Sequence, residues 1–339
     1  MRSSFILIFL FFLFIESYAQ VNSYSVLFYN TENFFDWKND LTTDDDEFTP
    51  DGDRHWTYQR FQKKINNISK ALIAASGWDV SAVIGLCEVE NHYVLEQLIS
   101  ETSLKNYPLR IIHKESPDPR GIDVAMIYNK ELFHPVSYEY FPLVDDNGRV
   151  HSTREILHVE GVFGTADTVH FFINHWPSRY SGLLETKEWR NRAASLLKQK
   201  TDSLFLKNAR AKIIILGDFN DQPGDESIQD FLLAKGDYKE PAPKKLYNLS
   251  DKWGEHGRGS LKYQSQWFVF DQIIVSGELL KTDAKVSTKA DWANIVMESF
   301  LLEKDDTYGG EKPNRTYNGF RYHGGFSDHF PVKLKLVIR

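Results

Sequence analysis

Residues 213–220 read Ile213-Ile-Ile-Leu-Gly-Asp-Phe-Asn220, an apolar run that stops at a glycine and turns polar. A short, β-branched run bounded by turn formers reads as a buried strand. Outward from it the same punctuation recurs. Ser25-Val-Leu-Phe-Tyr-Asn-Thr-Glu32 ends in Asn30 and Glu32, Val83-Ile-Gly-Leu-Cys-Glu88 ends in Glu88, and Val169-His-Phe-Phe-Ile-Asn-His175 ends in Asn174 and His175. Gly325-Phe-Ser-Asp-His-Phe-Pro-Val332 enters a strand through Asp328 and His329. Any one of these is an ordinary turn residue. Five strand ends carrying carboxylate, amide or imidazole groups are a pattern, because strand ends can lie at one rim of a sheet and bring distant residues together.

Further β-type runs cover Leu109–His113, Val124–Tyr128, Ile156–Phe163 and Trp267–Val275. Two segments have the three-to-four apolar spacing of amphipathic helices. Tyr58–Ala75 carries Phe61, Ile65, Ile68 and Leu72, and Glu185–Leu206 carries Trp189, Ala193, Leu196 and Leu197. Strands in runs, broken by two helices, imply an α/β fold with two packed mixed sheets and exclude a regular βαβ repeat. No Gly/Pro/Ser-rich stretch or internal repeat divides residues 20–339, so one domain is expected there.

The N-terminus stands apart. Arg2 precedes eleven consecutive apolar residues, Phe5 to Ile15, and Ser17-Tyr18-Ala19 follows with small residues where a signal peptidase reads. The run is too short for a bilayer span of about 20 residues. A signal peptide over 1–19 and export of the remainder are expected, to the periplasm or the exterior. The rest is globular: 339 residues hold 42% hydrophobic and 26% charged residues, with a net charge of −7. The single cysteine, Cys87, excludes disulfides within the chain and thiolate zinc ribbons, and reads as a small core residue. The acidic stretch Asp44–Asp53 lacks the ligand register of an EF-hand, so a solvated loop is expected in preference to a structural calcium site.

The chemistry at the strand ends is sorted. Asn30, Glu88, Asp218, Asn220 and Asp328 offer oxygen, which suits magnesium, with manganese as a substitute; zinc would call for more imidazole or thiolate. His175 and His329 supply proton transfer near neutral pH. Phosphodiester hydrolysis needs a deprotonated water, charge relief on nonbridging oxygens and help for the leaving alkoxide.

Glu88 after its strand, Asn174-His175, Gly217-Asp-Phe-Asn220 and Ser327-Asp-His-Phe-Pro-Val332 together resemble, in order and spacing, the endonuclease/exonuclease/phosphatase superfamily with its DNase I-like enzymes. The resemblance runs from Asn30 to the last strand. It implies a four-layer α/β/β/α sandwich with the site at the top of both sheets. It further implies that Glu88 and Asn30 bind the principal metal with Asp328 near it, and that Asp218 and Asn220 position phosphate, water or a second metal. His175 and His329 match the two family histidines, with Asp271 orienting His329. Arg154 matches an arginine on a phosphate oxygen. Asn174 and Arg179 are expected beside it. Asp123 is a candidate orienter of His175, or a strand-entry turn. Trp176 is either a base-stacking platform or core. His329 is expected to be the base and His175 the acid.

These residues point to a metal-dependent phosphodiesterase, a monomer without stable membrane association, with nucleic acid as its substrate. A pI of about 5.9 and no long basic cluster exclude tight nonspecific DNA binding, though Arg120, Arg154, Arg179, Lys187, Arg190, Arg315 and Arg321 could line a groove. The rivals are a sphingomyelinase-type enzyme, which would need an exposed apolar or aromatic hairpin with Tyr263–Phe270 as the candidate, a sugar or inositol phosphatase, and an inert binding protein.

Overall fold

A computed structural model describes residues 22–164, 167–179 and 182–339. The expected signal peptide, 1–19, lies outside the described residues. Among these, no helix is long and apolar enough to cross a membrane.

The chain begins with β1 (Asn22–Phe34), α1 (Tyr58–Ala75), β2 (Val83–Val89), α2 (His92–Ser100), β3 (Leu109–His113) and β4 (Asp123–Asn129). It continues through β5 (Phe133–Phe141), β6 (Ile156–Phe163), β7 (Thr168–His175), α3 (Leu183–Lys207) and β8 (Lys212–Asp218). Short strands follow: β9 (Ala234–Lys235), β10 (Leu246–Asn248), β11 (Leu261–Tyr263), β12 (Gln266–Phe268) and β13 (Asp271–Ser276). The last elements are β14 (Val286–Ser287), β15 (Ala293–Ile295), β16 (Leu302–Lys304), β17 (Glu311–Pro313), β18 (Tyr317–Asn318), β19 (Arg321–Tyr322) and β20 (Val332–Ile338).

Two mixed seven-stranded sheets form among the described residues. One runs β14-β20-β1-β2-β4-β3, with β15 also on β20; the other runs β5-β6-β7-β8-β13-β10-β9. Period-two alternation decides which side chain goes where. In β1, Val26 and Phe28 enter the inter-sheet core while Leu27 and Tyr29 face Phe61, Ile65, Ile68 and Leu72 of α1. In β8, Ile214 and Leu216 meet the first sheet, and Ile213 and Ile215 meet Ala193, Leu197 and Phe205 of α3. Helix, sheet, sheet and helix layers result. Each fully buried Leu, Ile, Val or Phe contributes roughly 1.5–3 kcal/mol, so both faces of the central strands are stabilised. Cys87 is buried in the inter-sheet core, as a small apolar residue would be.

Two expectations are corrected. Trp267–Val275 is not one strand: it splits into β12 and β13, and β12 folds back on β11 as a hairpin. The acidic stretch is not simply solvated, because Phe48 is buried and stacks on Phe35 at 4.3 Å, and buried Asp45 accepts a hydrogen bond from the Asp40 N–H at 3.1 Å. Helix α2 was not anticipated; its signal is Asn91, whose side chain caps the Val94 N–H at 3.0 Å.

Candidate active site

The central strands β1 and β2 of one sheet and β7, β8 and β13 of the other bring the predicted residues to one rim. Local backbone aims them. Pairing of β1 with β2 shifts register between Asn30 and Phe34, and pairing of β2 with β4 shifts between Cys87 and Val89. Such bulges redirect side chains. Glu32, Asn33, Glu88 and Asn220 all have positive φ, 50–59°, which non-glycine residues adopt only when surrounding structure compels it. Gly217 permits the close approach of β7 and β8, since a Cβ there would lie 2.5 Å from Asn174 Cβ.

The groups converge on Asp218. Its Oδ2 lies 3.8 Å from Nε2 of both His175 and His329. Glu88 Oε1 is 3.9 Å from His175 Nε2. The Asn30 amide nitrogen donates to both carboxylates, at 3.1 Å to Glu88 and 3.0 Å to Asp218, while its oxygen accepts the Glu32 N–H at 2.9 Å. Glu88 Oε2 accepts the Asn33 N–H at 2.8 Å. The Asp271–His329 partnership expected from the resemblance is present, with Oδ2 and Nδ1 2.6 Å apart. Asn220 donates to the Trp176 carbonyl at 3.1 Å, and its N–H donates to Asp218 Oδ1 at 2.9 Å.

Charge at the centre is unevenly shared. Burial pushes the Asp218 carboxyl up to about 7; His329 opposes this and Asp271 adds to it. Burial works against a charged His329, yet Asp271 and Asp218 outweigh it and hold its pKa well above the usual histidine range. Burial, reinforced by Arg154, Arg120 and His329, keeps His175 well below that range. The surroundings favour a charged His329 and a neutral His175, with Asp271 stabilising the imidazolium as well as fixing its tautomer.

Several nominated side chains are turned to the protein rather than to the rim. Asn174 donates to the Phe172 and Leu216 carbonyls and accepts from the Trp176 indole. Trp176 is buried edge-on against Phe219 and is core. Arg154 donates to Asp118 Oδ2 and to the Trp176 carbonyl, both at 2.8 Å. Arg179 holds Asp221 and the Asn220 carbonyl, at 2.6 Å each, and also Asp225. Asp123 pairs with His113 at 2.8 Å rather than with His175, and among the described residues His175 Nδ1 has no hydrogen-bond partner.

A second group beside the centre was missed. Arg315 bridges Glu32 Oε1, at 3.0 Å, and Asp328 Oδ2, at 2.9 Å. Buried Lys64 donates to Thr316 Oγ1 at 2.6 Å and to the Phe326 carbonyl at 2.8 Å, with Glu32 at 4.0 Å. Burial lowers the Lys64 ammonium to about 8 against the pull of Glu32. Asp328 is held below the usual carboxylate range: burial opposes its charge, but Arg315 and His329 prevail. Sequence carried one clue, a lysine on the apolar stripe of α1 between Phe61 and Ile68, where a charge needs a partner.

The donor set fits a divalent cation. Glu88 and Asp218 present carboxylate oxygens to one amide group, and hard oxygen donors of this kind suit magnesium or manganese. Ligand atoms of Asp218, Asp271 and His329 lie within 4.8 Å of one another.

The Endonuclease/Exonuclease/phosphatase family matches residues 25–337. Solved structures share the fold at low identity. An endonuclease/exonuclease/phosphatase family protein of Bacteroides thetaiotaomicron is 18% identical, with a TM-score of 0.57 over 95% of this chain and all (100%) of that one. A humanized TDP2 of D. rerio is 15% identical, with a TM-score of 0.57 over 93% and 98% of the two chains. The human Nocturnin catalytic domain, solved with a bound sulfate anion, is 13% identical, with a TM-score of 0.55 over 94% and 95%. No curated protein matches by sequence. Members of this family typically use divalent metals and hydrolyse phosphoester bonds. The chain belongs to the endonuclease/exonuclease/phosphatase family.

Proposed function

We propose that this protein is an exported, divalent-metal-dependent phosphodiesterase that hydrolyses nucleic acid. The observation that carries this reading is the His329–Asp271 pair, 2.6 Å apart, facing Asp218 across 3.8 Å. A binding protein has no use for a proton donor and a carboxyl near 7 set against each other. Asp218, pushed up to about 7, accepts the proton of the attacking water. His329 donates to the phosphate or the departing oxygen. Neutral His175 holds a phosphate oxygen through its Nε2 side, facing Glu88 and Asp218. Glu88 and Asn30, with Asp328 nearby, would hold magnesium or manganese, and the ion would supply charge relief on the phosphate oxygens.

The sphingomyelinase reading has the hairpin it requires, β11–β12, which exposes Tyr263 but holds Trp267 half-buried on Phe330 at 5.9 Å, so it offers one aromatic ring rather than a broad apolar face. Export after cleavage at Ala19 remains part of the proposal and is checked by the N-terminus of protein recovered outside the cytoplasm. The mature protein should be assayed on plasmid DNA, RNA, sphingomyelin vesicles and bis-p-nitrophenyl phosphate, with magnesium and with chelator, beside His329→Ala. Metal-dependent cleavage of DNA or RNA that vanishes in the variant is expected. Cleavage of lipid alone, or of nothing, would reject the nuclease reading.

A further inference from the structure

The rim of the site is open on the side of Asp328 and Arg315. His175, Asp218 and Asp271 are buried, whereas the side chains of Asp328 and Arg315 are 23% and 38% exposed. On that side a cavity of about 140 Å³ starts at Asp328 and Arg315 and runs between the β11–β12 hairpin and the loop joining β16 to β17. Its walls are tied to the catalytic segment and to each other. Leu261 of β11 forms an isolated bridge with His329, so the hairpin is fixed against the proton donor. Lys262 donates to Asp305 Oδ2 and to the Gly309 carbonyl, both at 2.8 Å, which locks hairpin to loop. Asp305 Oδ1 in turn accepts the N–H groups of Thr307 and Tyr308, at 3.1 and 3.0 Å.

On this braced frame two tyrosines of the lining stay open to solvent, Tyr263 at 66% and Tyr308 at 52%. Neither is needed for the core, and both flank the place where a substrate bound at Asp328 would extend. The cavity is well under the roughly 300 Å³ at which ligand pockets usually begin, so it suits one flat ring and not a whole nucleotide. The lining cations are each paired, Lys262 with Asp305, Arg315 with Asp328 and Lys312 with Glu303, so the walls are close to neutral. Near-neutral walls with two aromatic faces accommodate a neutral ring next to a phosphate.

We infer that this cavity is a subsite for the nucleobase adjoining the scissile phosphate, with Tyr263 and Tyr308 as its stacking surfaces and Lys312 near the next phosphate. The inference rests on the nuclease reading and adds which part of the substrate the protein grips. Stacking is sequence-tolerant, so the subsite requires a base without choosing which.

The test uses single-stranded oligonucleotides in which the nucleotide on either side of the cleaved bond is replaced, one at a time, by an abasic residue. The wild-type protein should lose at least about tenfold in kcat/KM for one of the two replacements and much less for the other. In the Tyr263→Ala/Tyr308→Ala double variant the ratio of intact to abasic rates should fall towards one, with an unchanged melting temperature as the check on folding. Equal cleavage of intact and abasic substrates by the wild type, or a ratio preserved in the variant, would overturn the subsite while leaving the nuclease reading standing. Failure to cut any oligonucleotide would reject both, and sphingomyelin cleavage lost in the double variant would assign the tyrosines to a lipid headgroup instead.

Discussion

Gly85 lies in β2 three residues before Glu88, on the face that meets the second sheet. A Cβ built there would sit 2.8 Å from Ile173 Cδ1, 3.3 Å from Ile173 Cγ2 and 3.2 Å from Phe28 Cδ2. Comfortable carbon contacts are about 3.5–4.0 Å. Overpacking a sound core by one methyl costs about 1–3 kcal/mol, and Gly→Ala returns roughly 0.4–1 kcal/mol by restricting the unfolded chain, so Gly85→Ala should destabilise by about 1–2 kcal/mol. Ile173→Val alone should cost about 0.5–1.5 kcal/mol. Together the two conserve volume, because the methyl added is the methyl removed. The double variant should therefore be more stable than the sum of the singles predicts, by about 1 kcal/mol. Urea unfolding with an unchanged m-value measures this. Activity should follow packing, since Ile173 stands two residues before His175 and the Glu88–His175 approach is 3.9 Å. Gly85→Ala should lose tenfold or more in kcat, on the scale of about a hundredfold for a 1 Å misplacement, and Ile173→Val should restore part of it. Strictly additive energies, or a Gly85→Ala protein as stable as wild type, would refute the inter-sheet contact as the spacer of the site.

Asp271→Asn should lower kcat by about 10²–10⁴-fold, the range for losing a carboxylate that orients a catalytic histidine, and move the alkaline limb of the pH–rate profile to lower pH, because His329 then gives up its proton sooner. Magnesium at a hundred times its dissociation constant should stabilise the protein by about 2.7 kcal/mol, raising Tm by roughly 5 °C, and Glu88→Gln should abolish the shift in a thermal melt. Burial, with His170 adding to it, lowers His158 to about 4, so the unfolded chain takes up its proton first as pH falls below 6.5. Stability should therefore be lost between pH 6.5 and about 4, by about 3 kcal/mol from this ring, and His158→Phe should flatten that part of the urea-unfolding profile.

How far the sequence could be read follows from the range of the interactions. Strand runs and their polar ends are local, which is why the rim at Asn30, Glu88, His175, Asp218 and His329 was legible. Its strained backbone at Glu88 and Asn220 was not, since positive φ there is imposed by neighbouring strands. The Arg315–Glu32 contact spans 283 residues of sequence, and no periodicity announces it. The break between β12 and β13 was hidden because Val269-Phe270 is as apolar as the strands on either side, so Trp267–Val275 read as one strand.

The cations show the same limit and yield the last prediction. Six of the seven basic residues that could have lined a groove are paired with carboxylates: Arg120 and Arg154 with Asp118, Arg179 and Arg190 with Asp221, Lys187 with Glu226, and Arg315 with Glu32. Composition lists charges without saying which are already satisfied, and an acidic chain has carboxylates enough to absorb most guanidinium groups. On the proposed reading, positive charge for a phosphate comes from His329 and a bound divalent cation rather than from Arg154. Arg154 is buried with Asp118, and removing one partner of such a pair costs about 3–5 kcal/mol. Arg120 also pairs with Asp118 and tempers that loss, so Arg154→Met should cost about 2–3 kcal/mol in urea unfolding while the folded variant keeps kcat within about tenfold. His329→Ala should lose activity and stability together, because it leaves buried Asp271 without its partner. If Arg154→Met abolished turnover at unchanged stability, Arg154 would be a phosphate ligand, and the assignment of charge relief to His329 and the metal would be wrong.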